Sequence, residues 1–470
     1  MFTEPTFNDI VIIAGAGPTG LTLAIELQRR GVPHRIVERA DGPQEGSRGK
    51  GVQPRTLEIL EDLGVLQTFQ EYGSDYPVMR VHRPDGEVME WRMDEPSEPT
   101  PSVPYPNMLM VPQWRTTRLL LDRLAELGGT VEFGTEVTGL DGTTVTLSTG
   151  ETITARYVVG CDGGRSTIRR MVGASFEGQT REEEQMLIAD VRLSGLDRDH
   201  WHIWPDRSQG FRLGLCPLPG TEDFQLTAPL TDLGDLPALL AEVAPEVAIT
   251  DIGWTSVYRP NIRMVSRFRH GNVFLAGDAA HVHSPAGGQG LNTGIQDAYN
   301  LGWKLASGDD ALLDTYEAER LPVAAEVLGI STRLHDAREF RRNDPKLRQL
   351  GLSYAAAGEG GYRAPDAPCG PTRLFDVFRG THWTLLAFDC SPSEAASEDL
   401  HVWRVVRDGP AGPGVLVDVD GHAHSAYGVE EPTLFWVRPD GYVGRVEKAA
   451  IAAATHTTTA AVTSATLEPR

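Results

Sequence analysis

Cysteine, long apolar runs and positive charge are all scarce in this sequence. Its four cysteines, Cys161, Cys216, Cys369 and Cys390, show neither CxxC spacing nor the density of a disulfide scaffold, so a reducing cytoplasm is the expected compartment. No apolar run approaches the roughly 18 residues needed to span a bilayer. Met1 to Asp9 also lacks the basic start of a signal peptide, so neither a membrane protein nor an exported one is expected. Lys and Arg number 43 against 65 Asp and Glu, a formal charge of −22. Duplex binders gain affinity by neutralising phosphates with clustered basic residues, so no nucleic-acid partner is expected and an anionic membrane surface is disfavoured. What is present suits a folded chain: 40% hydrophobic and 23% charged residues lie near the globular average. The length suggests about two to four domains.

The first informative motif opens the chain. Asp9 to Ala14 (DIVIIA) reads as a short strand and runs straight into Gly15-Ala16-Gly17-Pro18-Thr19-Gly20, then into a helical stretch that stops at Gly31. In a strand-turn-helix unit the first glycine allows the tight turn and the second lets a pyrophosphate approach the backbone. The third brings helix and strand together, and the helix's unpaired amides face the phosphates. His34 to Val37 reads as a second strand ending in Glu38, at the spacing expected of an acid that binds a ribose hydroxyl, with Arg39 beside it. The motif points to a dinucleotide without separating FAD from NAD. It occurs once, so no second Rossmann domain for a nicotinamide is expected.

Two distant segments extend the pattern. One is Tyr157-Val158-Val159-Gly160-Cys161-Asp162-Gly163-Gly164-Arg165-Ser166-Thr167-Ile168-Arg169. The other runs from Val273 through Gly277-Asp278-Ala279-Ala280-His281 to Ser284-Pro285-Ala286-Gly287-Gly288-Gln289-Gly290-Leu291-Asn292. The latter has a physical reading of its own. A strand from Val273 to Ala276 would deliver Asp278 to a strand end, where its carboxylate accepts hydrogen bonds from a ribityl chain. The glycines then admit a flat ring, and a helix from about Thr293 to Leu305 aims its positive end at the negative charge developing on a reduced flavin.

Together the three segments resemble the class A flavoprotein monooxygenases of the aromatic-ring hydroxylase type. That family has the para-hydroxybenzoate hydroxylase fold, and the closest types are rifampicin monooxygenase and the aromatic polyketide hydroxylases. The resemblance implies bound FAD, with NADPH or NADH as co-substrate and O2 as oxidant. It assigns FAD contacts to Gly15, Gly17, Pro18, Thr19, Gly20, Glu38 and Arg39, and to Asp162, Gly163, Gly277, Asp278, Pro285, Gly288 and Gly290. The backbone of Leu291 and Asn292 is placed at the flavin ring. Arg48, Gln113 and Val137 match further FAD-contacting positions. Lys50 stands where relatives carry Arg, keeping the charge but not the bidentate fork, and is a candidate substrate residue. In this family NAD(P)H docks transiently beside the second segment, which makes Asp162, Arg165 and Arg169 candidates there.

No metal site is expected, since His281 and His283 form an HxH without further ligands. No Gly-x-Ser-x-Gly elbow supplies an acyl-transfer nucleophile. Trp201-His202-Ile203-Trp204-Pro205 has the wrong spacing for a flavin-dependent halogenase and reads as a strand. The expected fold is α/β, with a Rossmann-like FAD-binding domain, a β-sheet substrate domain and a thioredoxin-like C-terminal domain without CxxC. Residues 1–180 and 265–357 would form the first, with 76–105 a candidate contributor to the substrate pocket. Residues 181–264 would form the second, in short β runs including Gly210 to Leu218, and 372–470 the third after a linker at 358–371. The Ala- and Thr-rich last dozen residues are expected to be disordered. Trp204, Phe211, Arg212, Tyr258 and Pro285 join Lys50 as candidate substrate contacts, and no residue is assigned as catalytic base.

The expected reaction is hydroxylation of a bulky phenolic or polyketide-type ring through a C4a-hydroperoxyflavin, in natural-product biosynthesis or antibiotic inactivation, by a monomer or homodimer. Two other functions share the same motifs. One is an FAD-dependent oxidase or dehydrogenase of an aromatic compound, and the other a flavoprotein that sequesters an aromatic ligand without turnover.

Overall fold

The computed structural model describes residues 9–205, 211–285, 287–337, 344–354 and 360–449. Gly210, Ala286, the first residues of the expected linker and the Ala- and Thr-rich tail lie outside the described residues.

Val11–Ala14 and Tyr157–Gly160 are fully buried strands. Such continuous apolar runs suit a parallel sheet covered on both faces, and the two pair in parallel. Val11–Ala14 also pairs with His34–Glu38, so the chain leaves the central strand toward both sides of a six-stranded sheet. Val273–Leu275 extends it beyond Tyr157–Gly160, and Val131–Phe133 beyond His34–Glu38. Where strand order reverses in this way, the carboxyl ends of the strands open a crevice.

The helix Pro18–Gln28 packs against a second helix, Gly290–Ser307. The latter begins three residues before the expected Thr293 and ends on Gly308 in the left-handed conformation, a common helix stop. The next helix, Asp310–Asp336, starts with the Asp309 side chain accepting from the Ala311 amide at 2.9 Å. It continues through Pro322 to Asp336.

A seven-stranded sheet roofs the crevice, in the order Ala248–Tyr258, Met186–Ser194, Phe224–Ala228, Phe211–Pro217, His200–Pro205, Val78–His82, Val88–Trp91. The last two strands come from the 76–105 segment, and Val78–His82 joins in parallel to His200–Pro205. Strand alternation sorts the sheet's residues. Leu187, Ala189, Val191, Leu213, Leu215, Phe224 and Leu226 form an outer core against the helix Leu236–Val243. The opposite face looks down on the first domain.

The C-terminal residues form a five-stranded sheet with a core of its own around Leu386, Phe388, Val405 and Phe435. Trp383–Phe388, Leu400–Val406 and Val415–Val417 are parallel, and Thr433–Val437 with Val443–Lys448 complete the sheet antiparallel, a thioredoxin-like arrangement. Before it, Leu374–Phe378 is a short helix, begun by the Asp376 carboxylate accepting from the Arg373 amide at 2.9 Å.

Buried charge holds this unit to the helices. Arg438 grips Glu319 with both terminal nitrogens, at 2.7 and 2.9 Å, and its Nε reaches Asp440 at 2.9 Å. Lys304 meets Glu319 at 2.7 Å, and Arg363 and Arg55 enclose Glu58 at 2.6 and 2.8 Å. Burial alone would raise the Glu319 carboxyl, but the bonds and charge of Arg438, and then Lys304, bring it down to about 2. Lys304 moves the other way from what a strong pair would give, burial pushing it down to about 8. The Arg438 fork therefore does most to hold the carboxylate. Because the folded Glu319 titrates below an ordinary glutamate, its contribution is complete above about pH 4.5 and fades toward about pH 2. Denaturant midpoints measured from pH 6 to pH 3 should fall, and Glu319→Gln should flatten that dependence.

Candidate functional site

Every candidate acid lies at the carboxyl edge of the parallel sheet. Val11–Ala14 ends at Gly15, His34–Glu38 at its own Glu38, Tyr157–Gly160 just before Asp162, and Val273–Leu275 just before Gly277-Asp278. Gly15 has φ +103°, and a Cβ there would lie 2.4 Å from the Cys161 carbonyl oxygen. A Cβ on Gly20 would lie 1.9 Å from the Gly15 carbonyl oxygen, so strand and helix meet backbone to backbone. Gly17 instead faces open space, with no atom within 4 Å of a built Cβ. It is the N-cap of a helix with Pro18 in its first turn, no side-chain cap and no acidic residue there. Open space beside free amides at a positive helix end is what a pyrophosphate requires. Thr19 packs under the far strand, its Oγ1 2.6 Å from where a Gly277 Cβ would be.

The Glu38 carboxylate accepts from the Ala16 amide at 2.9 Å and the Ala40 amide at 3.0 Å, which holds it at the strand end with Arg39 exposed alongside. Thr135, two residues before the buried Val137, donates its amide to the Glu38 carbonyl at 2.9 Å. Asp162 Oδ2 accepts the Thr167 and Ile168 amides at 2.6 and 3.2 Å, while Oδ1 is buried with no hydrogen-bond partner among the described residues. Gly163 follows with φ +77°.

On the other side of the crevice the Asp278 side chain is open to solvent. The protein mass around it nonetheless raises its pKa, against the pull of His281 and Arg48. Beyond it, exposed Pro285 accepts at its carbonyl from Gly288 at 3.1 Å. Asn292 fixes this turn from inside. Its Oδ1 accepts the Gln53 amide at 2.7 Å, and its Nδ2 donates to the Gly51 and Gly288 carbonyls, both at 2.9 Å. Gly290, Leu291 and Asn292 form the first turn of their helix, where amides have no intrahelical acceptor.

The loop 44–50 joins this floor to the roof. Gln113 Oε1 accepts the Gly49 amide at 2.9 Å. Arg48 reaches Ser256 Oγ at 3.2 Å and lies 5.8 Å from the Trp254 ring centroid. Lys50 is buried, with its ammonium 4.2 Å from the Trp201 ring centroid and donating to Gln225 Oε1, while Gln225 Nε2 donates to the Ser47 carbonyl. Asp190 lies on the same face as Gln225, and burial lifts its carboxyl to about 6 against the pull of Ser47 and Lys50.

The candidate substrate residues divide between the two faces of the roof. Phe211 packs with Met79, Met93, Trp201 and Ile203 on the inner face. Tyr258 shares the face of Trp254 and Ser256 by strand alternation, and burial pushes its phenol up to about 12. Trp204 does not face the crevice: it belongs to the outer core under the helix Leu236–Val243. A register shift at Trp204/Pro205 also turns Arg212 outward, where both terminal nitrogens bind Glu242 at 2.6 and 2.8 Å. Arg169 is likewise committed, donating to the Ala279 and Gly164 carbonyls at 2.9 and 2.7 Å, while Arg165 is exposed.

Sequence reasoning missed Asp190, Gln225, Trp201 and Trp254. Asp190 and Gln225 had a usable signal, since each is a polar residue inside an apolar β run, MLIADV and FQLTA, and buried polar side chains need partners.

Residues 9–331 match the family described as the FAD binding domain. A flavin-dependent monooxygenase of Mycobacteroides abscessus is 44% identical over 92% of this chain and 96% of its own.

The chain belongs to the FAD-binding flavin-dependent monooxygenases.

A rifampicin monooxygenase of Streptomyces venezuelae in the same family is 39% identical over 68% of this chain and 69% of its own. Aklavinone-11 hydroxylase, solved with FAD and aklavinone, is 26% identical, covers 95% of this chain and 97% of its own, and superposes with a TM-score of 0.79. FAD is thus the cofactor of this monooxygenase. The open Gly17 turn, the bare Asp162 Oδ1 and the accessible Asp278 carboxylate fit it.

Proposed function

We propose that this monooxygenase hydroxylates a bulky phenolic or polyketide-type ring at the expense of NADPH or NADH and O2, in natural-product biosynthesis or antibiotic inactivation. The observation that carries the reading is the inner face of the roof. There an aromatic and methionine surface surrounds one buried cation, Lys50, held by Trp201 and Gln225. A flat polycyclic body suits the apolar wall, and an acidic ring hydroxyl suits the ammonium, which favours its phenolate form. The substrates named for the relatives, rifampicin and aklavinone, are consistent with that choice.

In this reading Gly15, Gly17, Pro18, Thr19, Gly20, Glu38, Arg39, Val137, Asp162 and Gly163 hold the adenosine diphosphate half of FAD. Arg48, Gln113, Gly277, Asp278, Pro285, Gly288, Gly290, Leu291 and Asn292 hold the rest. Bound FAD supplies the redox chemistry, so that NAD(P)H, O2, a proton and the substrate yield NAD(P)+, water and the hydroxylated ring. The protein's part is to orient the ring and keep water from the reacting atoms. Lys50, Phe211 and Tyr258 position the substrate from above, while the first-turn amides of Leu291 and Asn292 face the ring system from below. Exposed Arg165 offers a charge for the transient nicotinamide co-substrate.

The two faces of the roof separate packing from recognition. Phe211→Ala should raise KM for a polycyclic phenol about fivefold through lost ring contact. Trp204→Phe should cost about 1 kcal/mol of stability and leave KM unchanged. Steady-state kinetics and denaturant titration of both variants check the pair. A Trp204 effect on KM without one from Phe211 would place the substrate elsewhere.

A further inference from the structure

A chain of side chains runs from the core to the crevice behind the first turn of the helix Gly290–Ser307. Arg320 and Asp297 are fully buried, with Nε and Oδ1 2.7 Å apart. Asp297 Oδ2 accepts the Gly277 amide at 3.1 Å and lies 2.6 Å from His281 Nε2. His281 Nδ1 is 2.9 Å from His283 Nε2. His283 Nδ1, the last atom of the chain, is buried and has no hydrogen-bond partner among the described residues. This histidine also borders the crevice. A Cβ built on Gly290 would lie 3.8 Å from His283 Cδ2 and 4.0 Å from Asp278 Oδ1, so ring and carboxylate flank one helix start.

The relay decides where each proton sits. Asp297, paired with Arg320, is a carboxylate and can only accept, so His281 donates from Nε2. A neutral His281 then carries its lone pair on Nδ1, and His283 must donate to it from Nε2. That leaves a bare lone pair on His283 Nδ1. A buried acceptor is costly to leave unpaired, and such atoms in native proteins point to a partner supplied by something else.

We propose that the Arg320–Asp297–His281 relay fixes His283 as a hydrogen-bond acceptor for a hydroxyl group of the ligand lying between Asp278 and the start of the helix Gly290–Ser307. His283 is the contact residue, and His281 and Asp297 are positioning residues. The inference rests on FAD occupying the crevice, whose ribityl chain supplies hydroxyls beside Asp278. A phenolic substrate carries the same donor.

Two readouts on the full-length holoenzyme distinguish these sources: FAD release on dilution, followed by recovery of flavin fluorescence, and substrate affinity from perturbation of the bound flavin spectrum. His283→Phe keeps a ring without the acceptor, whereas His283→Gln restores an acceptor oxygen. The expected result is an about tenfold loss of FAD affinity in His283→Phe, largely recovered in His283→Gln. A tenfold loss of phenol affinity with FAD retention unchanged would support the proposal with substrate as the source. Asp297→Asn, whose amide donates to His281 and reverses the relay, should reproduce the His283→Phe phenotype. Should that variant not fold, the two His283 variants decide. Unchanged affinity for both ligands in His283→Phe would overturn the proposal. Wild-type protein that retained no FAD would instead overturn the flavin reading beneath it.

Discussion

Replacing Arg438 with alanine is expected to destabilise the protein by about 3–5 kcal/mol, because it strips a buried carboxylate of its main partner. Glu319 would keep only Lys304, whose ammonium burial already disfavours, and the Asn300 amide at 2.8 Å. Asp440 would lose its guanidinium as well. Loss of one charge of each sign should be milder. Arg438→Met combined with Glu319→Gln leaves buried Lys304 and Asp440 to offset each other, so the double variant should lose less than Arg438→Ala, which strands a carboxylate. Denaturant titration of the single and double variants distinguishes a network that stabilises from one that only has to be complete.

Asp278→Ala should weaken FAD binding about ten- to hundredfold, the equivalent of about 1.5–3 kcal/mol for a hydrogen bond to a charged group. Asp278 is a candidate contact that is both charged and open to solvent, so its loss removes an interaction made with the ligand. Among the described residues its side chain accepts no hydrogen bond from the protein, and the apo fold should therefore keep its stability. Asp278→Asn, which retains an acceptor oxygen, should fall between. Flavin fluorescence on dilution of the holoenzyme measures the first effect, and denaturation of the flavin-free protein the second.

The floor of the site was more legible in the sequence than its roof, for a physical reason. Gly15, Gly17 and Gly20 are dictated by backbone contacts only 2 to 3 Å from any added Cβ, or by the open space a phosphate needs. Such requirements leave a local, ordered pattern that can be read directly. Glu38, Asp162 and Asp278 then fall at strand ends because strand and turn are adjacent in the chain. The roof is built instead from strands whose facing depends on register. A single register shift at Trp204/Pro205 decides that Phe211 faces inward and Arg212 outward, and no composition signal carries that information. Lys50 was identified as a candidate from its place in the family pattern, but its partners Trp201 and Gln225 lie more than 150 residues away in the chain. The charged docking of the C-terminal unit was not legible either. Arg363 and Arg438 resemble surface arginines until folding brings Glu58 and Glu319 beneath them.

Oxygen insertion is read directly from turnover under 18O2. The purified protein would be supplied with NADPH and a panel of polycyclic phenols under labelled oxygen, with NADPH consumption, peroxide and product mass followed together. A phenol should accelerate NADPH oxidation and return carrying one 18O atom. A product that has lost hydrogen without gaining the label would instead make the protein a dehydrogenase, and tight binding of the phenols with no turnover would make it a sequestering flavoprotein.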